Sequence, residues 1–225
     1  MIRILIADDH TLVREGLSRL LNELPNMQVI GGAATGEEAV QYVRELQPDI
    51  VLMDIMMPGM GGLEATQRIV RGDANRTAVI ALSAAAEAPF PAQMLKAGAA
   101  GYLTKNVSSR ELETAIRRVF AGKRYVCNEV AQDLASYAFE EKSSSPFELL
   151  SHREMQIMMM VVGCQKVRDI SGSLHLSPKT VNSYRYRIFE KLNVSSDVEL
   201  VLLAVKHGMV SMSAPQLLAA TRSAA

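Results

Sequence analysis

Tryptophan is absent, aromatic residues make up 5% of the chain, and no apolar run approaches the ~20 residues a membrane span requires. The amino terminus, MIRILIADDH, also lacks the apolar core and small-residue cleavage site of a signal peptide. Neither a membrane-embedded nor an exported protein is expected, and a cytoplasmic one is. Cysteine is scarce: Cys127 and Cys164 stand far apart, too few for a disulfide framework, so both read as small buried apolar residues. Neither sign of charge is in excess, with 24 Lys and Arg against 24 Asp and Glu. What the chain does have is hydrophobic content, 48% over 225 residues, enough for one large domain or two smaller ones.

The neutral total conceals an asymmetry. Residues 1–142 carry 15 Lys and Arg against 18 Asp and Glu, and residues 143–225 carry 9 against 6. The sign changes across EEKSSSP, residues 140–146, a Ser-rich stretch ending in Pro that reads as a linker. The expected organisation is a first domain over 1–122, a connecting segment and linker over 123–146, a second domain over 147–210 and a tail over 211–225.

The first domain alternates strand and helix signals. Short apolar runs at 2–7, 28–32, 50–53, 79–82 and 101–103 predict five strands. Between them, apolar residues recur at helical spacing: Val13, Leu17, Leu20 and Leu21, then Ala39, Val40, Val43 and Leu46, then Leu63, Thr66 and Ile69, and last Leu112, Ile116 and Val119. Ser108 and Glu111 have capping-box spacing for the last of these helices. Pro89 and Pro91 confine a fourth helix to about residues 92–97. The pattern predicts an α/β fold, a doubly wound five-stranded parallel sheet, followed by a small all-α domain.

Five polar residues follow those strands: Asp8 and Asp9 after IRILIA, Asp54 after DIVLM, Ser83 after AVIAL and Lys105 after AAGYLT. In an open α/β sheet the carboxyl ends of the strands converge on one crevice. Three carboxylates and an amine there suit a divalent cation, Mg²⁺ or Mn²⁺, and a phosphoryl group. Asp9 and Asp54 are the expected carboxylate ligands, the Met56 backbone carbonyl is a further one, and Asp8 orients Asp9 and the metal's waters. Asp54 is the expected acceptor, Lys105 the charge that pairs with the phosphoryl oxygens, and Ser83 a hydroxyl donor to them. Each piece alone has an ordinary explanation as a helix cap, a turn or a surface charge. Their coincidence at successive strand ends does not. An aspartyl phosphatase would need an acid/base Asp two residues after Asp54, where Met56 stands, so the chain does not read as an enzyme.

With those residues in place, positions 1–122 resemble the receiver domain of two-component response regulators. The resemblance implies a sensor histidine kinase as phosphoryl source, Ser83 as switch hydroxyl and Tyr102 as switch aromatic, its ring turning inward when Ser83 moves toward the phosphoryl group.

The second domain reads as helices. Ser151 and Glu154 have capping-box spacing ahead of a helix whose Met155, Met158, Met159 and Val162 stripe suits core packing. A second helix runs over 167–174, and Ser177 with Pro178 opens a third. That third helix, SPKTVNSYRYRIFEKLNV, places Val181, Ile188 and Leu192 inward with the ring of Tyr184 or Phe189. Lys179, Thr180, Asn182, Ser183, Arg185, Tyr186 and Arg187 lie outside, where short polar and basic groups suit a DNA major groove and its phosphates.

LLSHREMQIMMMVVGC, LHLSPKTVNSYRYRIFEKLNV and ELVLLAVKHGMV resemble the LuxR-type, or NarL/FixJ-type, helix-turn-helix domain. The resemblance makes Asn182, Ser183 and Tyr186 base-edge readers, and Lys179, Thr180, Arg185 and Arg187 phosphate or positioning contacts. It makes Glu154 part of a structural ion pair and the helix over 197–207 a dimer contact. Double-stranded DNA, a second copy of the chain when phosphorylated or DNA-bound, and RNA polymerase are the partners it implies. One departure is Gly172 inside the supporting helix, which weakens that helix by ~1 kcal/mol relative to Ala. ILIADDHTLVREGL, APFP, AGAAGYLTK and SYRYRIFEKLNVSSDVEL further resemble the GacA/UvrY subgroup, regulators that activate small regulatory RNA genes. Neutral overall charge leaves one alternative open, a phosphorylation-gated regulator that works by protein contact and does not bind DNA.

Overall fold

The computed structural model describes residues 1–72, 77–83, 90–139, 146–174, 176–207 and 209. The linker over 140–145, the alanine-rich loop after Ser83 and the tail over 211–225 lie outside the described residues. The chain divides into two compact units, residues 1–140 and 141–225.

In the first unit, β1 (Ile2–Ala7), β2 (Met27–Ala33), β3 (Ile50–Asp54), β4 (Ala78–Ser83), β5 (Gly101–Thr104) and β6 (Tyr125–Val126) form one sheet in the order β2-β1-β3-β4-β5-β6. Every pairing is parallel. Between the strands run α1 (Thr11–Asn22), α2 (Gly36–Leu46), α3 (Gly61–Gly72), α4 (Phe90–Lys96) and α5 (Ser109–Phe120), and α6 (Asn128–Phe139) follows β6. The central strands are buried on both faces, with Ile4, Leu5, Ile50, Val51, Leu52 and Ile80 at 0% exposure, as a sheet covered by helices on both sides requires.

Two features of this unit depart from expectation. A sixth strand extends the sheet, and it belongs with α6 to a stretch expected to be connecting chain. Glu111 also completes no capping box: Ser108 accepts from the Glu111 N–H, while the Glu111 carboxylate accepts from the Tyr125 hydroxyl at 3.2 Å. The expected cap side chain instead holds the edge strand.

The second unit contains a 3-10 turn (Pro146–Leu149), α7 (His152–Val162), α8 (Val167–Leu174), α9 (Pro178–Leu192) and α10 (Asp197–Lys206). Its core joins Phe147, Met155, Ile157, Met158, Ile170, Val181, Ile188 and Leu200, all nearly or fully buried. Met159 is only half-buried. The Ser151 to Glu154 capping box is complete. Cys127 is buried but Cys164 is exposed, contrary to expectation, because it sits at φ 59° just past the Gly163 cap of α7. The ring of His207, the C-cap of α10, meets Phe147 edge to face with centroids 5.7 Å apart. Among the described residues, no helix is long and apolar enough to cross a membrane.

Candidate functional site

Strand register builds the first site. Ala7 pairs with Met53, so Asp8 follows beside Asp54; Asp54 pairs with Leu82, which places Ser83 one step further; Ser83 pairs with Thr104, which places Lys105 one step beyond. Four adjacent strands thus deliver these side chains to a single edge of the sheet.

Lys105 Nζ donates to Asp8 Oδ2 at 2.6 Å and to Asp54 Oδ2 at 2.9 Å. Asp8 and Asp54 are 1% and 3% exposed. Burial raises the Asp54 pKa more than the Lys105 ammonium lowers it, so this carboxyl stands above the usual carboxylate range. Burial depresses Lys105, but the hydrogen bonds and charges of Asp8 and Asp54 outweigh it and hold the amine above its usual value. The Met56 N–H donates to Asp54 Oδ1 at 3.3 Å. Behind Asp54 the chain turns too tightly for side chains. A Cβ on Gly62 would lie 1.8 Å from the Asp54 carbonyl oxygen, and one on Gly59, at φ +75°, would lie 2.2 Å from Glu37 Oε2. Glu37 braces the same loop by accepting from the Met60 N–H at 2.9 Å.

His10, which the sequence pattern did not single out, joins the pocket. Its Nδ1 lies 2.9 Å from Asp9 Oδ1 and 3.3 Å from Asp8 Oδ1. Ligand atoms of Asp8, Asp9, His10 and Asp54 all lie within 4.8 Å of one another. The Asp9 Oδ1 atom is buried, with the His10 imidazole beside it but no hydrogen bond, and a bound cation would satisfy it. Carboxylate oxygens held this way fit a hard divalent cation such as Mg²⁺ or Mn²⁺.

Tyr102 on β5 is fully buried. Burial pushes its phenol well above the ordinary value, opposed by a hydrogen bond with the Ser83 side chain. The Tyr102 ring therefore lies inward, packed into the sheet beside Ser83.

The second site is the outer face of α9. Ser177 caps the helix by accepting from the Thr180 N–H at 3.1 Å, and Pro178 occupies the first turn. Val181, Ile188 and Leu192 are buried, while Tyr184 and Phe189 are both half-buried. Lys179, Ser183, Tyr186 and Arg187 are exposed, Tyr186 by 73%. Thr180 and Asn182 are half-buried at its edge. The Ser183 hydroxyl donates back to the Lys179 carbonyl at 3.0 Å, and the Arg187 guanidinium lies 5.8 Å from the Tyr184 ring centroid. Arg185 departs from the expected outward position: its side chain is 23% exposed and paired with Asp197 of α10. Glu154 on α7 receives Lys191 of α9 at 2.6 Å, the structural ion pair that was expected.

The family model for the response regulator receiver domain matches residues 4–117, and the model for the luxR family of bacterial regulatory proteins matches residues 148–204. The chain is 56% identical over 215 residues to the response regulator GacA of Pseudomonas viridiflava, covering 95% of this chain and all of that one. It is 50% identical over 210 residues to the response regulator UvrY of Escherichia coli K12, covering 93% of this chain and 96% of that one. The chain belongs to the two-component response regulators of the LuxR family. Among solved structures, a LuxR-family response regulator from Aurantimonas sp. SI85-9A1 matches with TM-score 0.59 and 38% identity, covering 61% of this chain and 98% of that one. RcsB of Salmonella enterica serovar Typhimurium, bound to promoter rprA in the presence of phosphomimetic BeF3⁻, shares the fold with TM-score 0.64 at 20% identity, covering 90% of this chain and 98% of that one. This response regulator thus couples a receiver to a DNA-binding output domain and regulates transcription.

Proposed function

We propose that Asp54 is the acceptor of a phosphoryl group from a sensor histidine kinase. The observation that carries the reading is the convergence of Asp8, Asp54 and Lys105, with Lys105 Nζ bonded to both carboxylates. Asp9 and Asp54, with the Met56 carbonyl, would hold Mg²⁺ or Mn²⁺, with Asp8 orienting Asp9. A divalent cation held there would supply screening of charge between the carboxylates and the incoming phosphoryl oxygens. An Asp54 oxygen attacks phosphorus, the bond to the donor breaks, and an acyl phosphate remains. Lys105 then pairs with one phosphoryl oxygen and Ser83 with another. Incubation with radiolabelled acetyl phosphate tests the assignment: wild type should carry acid-labile, hydroxylamine-sensitive label, and Asp54→Asn should carry none. Undiminished label on Asp54→Asn would place the acceptor elsewhere.

Ser83 and Tyr102 form the switch. Phosphorylation draws Ser83 toward the phosphoryl oxygens and favours the arrangement in which the Tyr102 ring lies inward. The receiver spans 1–122, with a connecting segment and linker over 123–146, the DNA-binding domain over 147–210 and a tail over 211–225.

In the output domain, Asn182, Ser183 and Tyr186 read base edges of double-stranded DNA while Lys179, Thr180 and Arg187 contact phosphates or fix register. Val198, Leu202 and Val205 lie on one face of α10 with 53%, 57% and 37% exposure, which supports a homodimer through that helix. A two-fold dimer implies DNA half-sites one helical turn apart. The protein works in the cytoplasm as an activator, with small regulatory RNA genes as targets and RNA polymerase as a further partner.

A further inference from the structure

Arg185 makes a set of contacts that a phosphate-binding side chain does not need. Nη2 donates to both oxygens of Asp197 at 2.6 and 2.5 Å, and Nη1 donates to Asn182 Oδ1 at 3.2 Å. Its guanidinium carbon lies 5.8 Å from the Phe189 ring centroid. Nε is buried without a hydrogen bond, so the side chain is held on three sides and presents no free fork to solvent.

The chemistry of these contacts has a direction. Guanidinium nitrogens only donate, so the amide atom of Asn182 that faces Arg185 must be its oxygen. The amide nitrogen of Asn182 is thereby left to face away. An Asn with both ends free reads adenine by accepting from N6 and donating to N7, whereas one whose oxygen is turned toward a guanidinium, with one lone pair already used, meets the bases chiefly through its amide nitrogen as a donor. Asp197 fixes the other end of the guanidinium from the first turn of α10. Arg185 therefore links the helix with the exposed apolar stripe to a side chain on the outer face of α9.

We propose that Arg185 is a positioning residue that, anchored by Asp197, presents Asn182 to DNA as a hydrogen-bond donor and makes no phosphate contact. The proposal rests on the reading of α9 as the DNA-reading helix. It makes base preference at the position under Asn182 a property of three residues, one of which belongs to α10.

Lysine separates the two roles. Arg185→Lys keeps a point charge that would serve a phosphate, but one ammonium cannot hold both Asp197 and Asn182 in the geometry of the guanidinium. The full-length protein, treated with acetyl phosphate, is used to select from a duplex library with a random central segment, and bound DNA is sequenced. Affinities for the best selected duplex and for a scrambled duplex are then measured against KCl concentration. The expected result is that Arg185→Lys and Asp197→Asn lose about tenfold of base discrimination at one and the same position. The slope of log affinity against log salt should stay at the wild-type value. In an Asn182→Ala background, Arg185→Lys should have no further effect on discrimination. Retained base preference with Arg185→Lys, together with a slope reduced by about one in Arg185→Ala, would make Arg185 a phosphate contact and overturn the proposal alone. Failure of the wild type to enrich any sequence or bind either duplex would overturn the DNA-reading assignment of α9 and this proposal with it.

Discussion

Lys105 Nζ lies 2.9 Å from Asp54 Oδ2 and 2.6 Å from Asp8 Oδ2, bridging two carboxylates of the acidic cluster. The amine thus occupies part of the charge that a divalent cation would otherwise neutralise, and it must shift toward the incoming phosphoryl oxygens during transfer. Lys105→Ala should therefore bind Mg²⁺ about fivefold more tightly than wild type, as removal of one nearby positive charge is worth about 1 kcal/mol at a partly solvated site. The same variant should be phosphorylated more slowly by acetyl phosphate. Isothermal titration calorimetry with MgCl₂ checks the first part, and weaker Mg²⁺ binding would show that Lys105 organises the site more than it competes with the ion.

Ser83 and Tyr102 supply a second prediction. The Tyr102 hydroxyl is buried and bonded to the Ser83 side chain. Ser83→Ala should lower thermal stability by about 1 kcal/mol, since a buried polar group loses a partner. It should also leave acetyl phosphate labelling of Asp54 in place while reducing the gain in DNA affinity that labelling produces. A full gain with Ser83→Ala would remove the hydroxyl from the switch.

The ion pair between Glu154 and Lys191 makes stability depend on acidity. Burial alone would raise the Glu154 pKa, but hydrogen bonds from Lys191 and Ser151 outweigh it and hold the carboxyl below the usual glutamate value. A carboxyl with a lowered folded pKa contributes stability that is fully present above its ordinary value of 4.5. That contribution is lost as pH falls through the lower folded value. Urea midpoints of the wild type and Glu154→Gln should therefore differ most near neutrality and converge below about pH 4. A gap that is constant across that range would assign the loss to packing instead of charge.

Gly172 offers a gain. It lies inside α8 with open space where a Cβ would go. Gly172→Ala should raise the stability of the output domain by about 0.5–1 kcal/mol through the smaller entropy lost on folding. A lower melting temperature would mean that the weakness of α8 is not a matter of backbone freedom.

Leu202 tests the dimer face of α10. With 57% of its surface exposed between Val198 and Val205, Leu202→Glu should leave the monomer folded but place a charge at the centre of the contact. Sedimentation of the acetyl phosphate-treated variant should show monomer where the wild type shows dimer. An unchanged dimer would locate the contact elsewhere.

The strand-end residues were legible because parallel strands buried on both faces read as unbroken apolar runs, and a polar residue ending such a run has one place to go. Register then did the rest, since β1 and β3 end in phase while β4 and β5 are each offset by one residue from the strand before. The helix caps at Ser151 and Ser177 were equally visible, because they follow from local hydrogen bonding. What was hidden depended on distant partners. Tyr125 and Val126 show no periodicity, and they become a strand only because Gly101 and Tyr102 pair with them. His10 carried a signal that could have been used, an imidazole adjacent to two carboxylates at a strand end. Arg185 lies on the outer arc of α9 by helical spacing alone, and Asp197 draws it inward from twelve residues away. Cys164 is small and apolar, yet its left-handed turn after α7 leaves it outside.

The short β6 has a consequence for any dissection of this molecule. It covers the outer side of β5, and α6 follows it directly. A fragment cut at residue 122 would retain all five principal strands and every residue of the carboxylate pocket, yet it would leave Gly101 and Tyr102 of β5 without the strand they pair with. Such an edge is a template for pairing with a neighbouring chain. That fragment should self-associate through the open strand, while one ending near residue 139 keeps the edge closed.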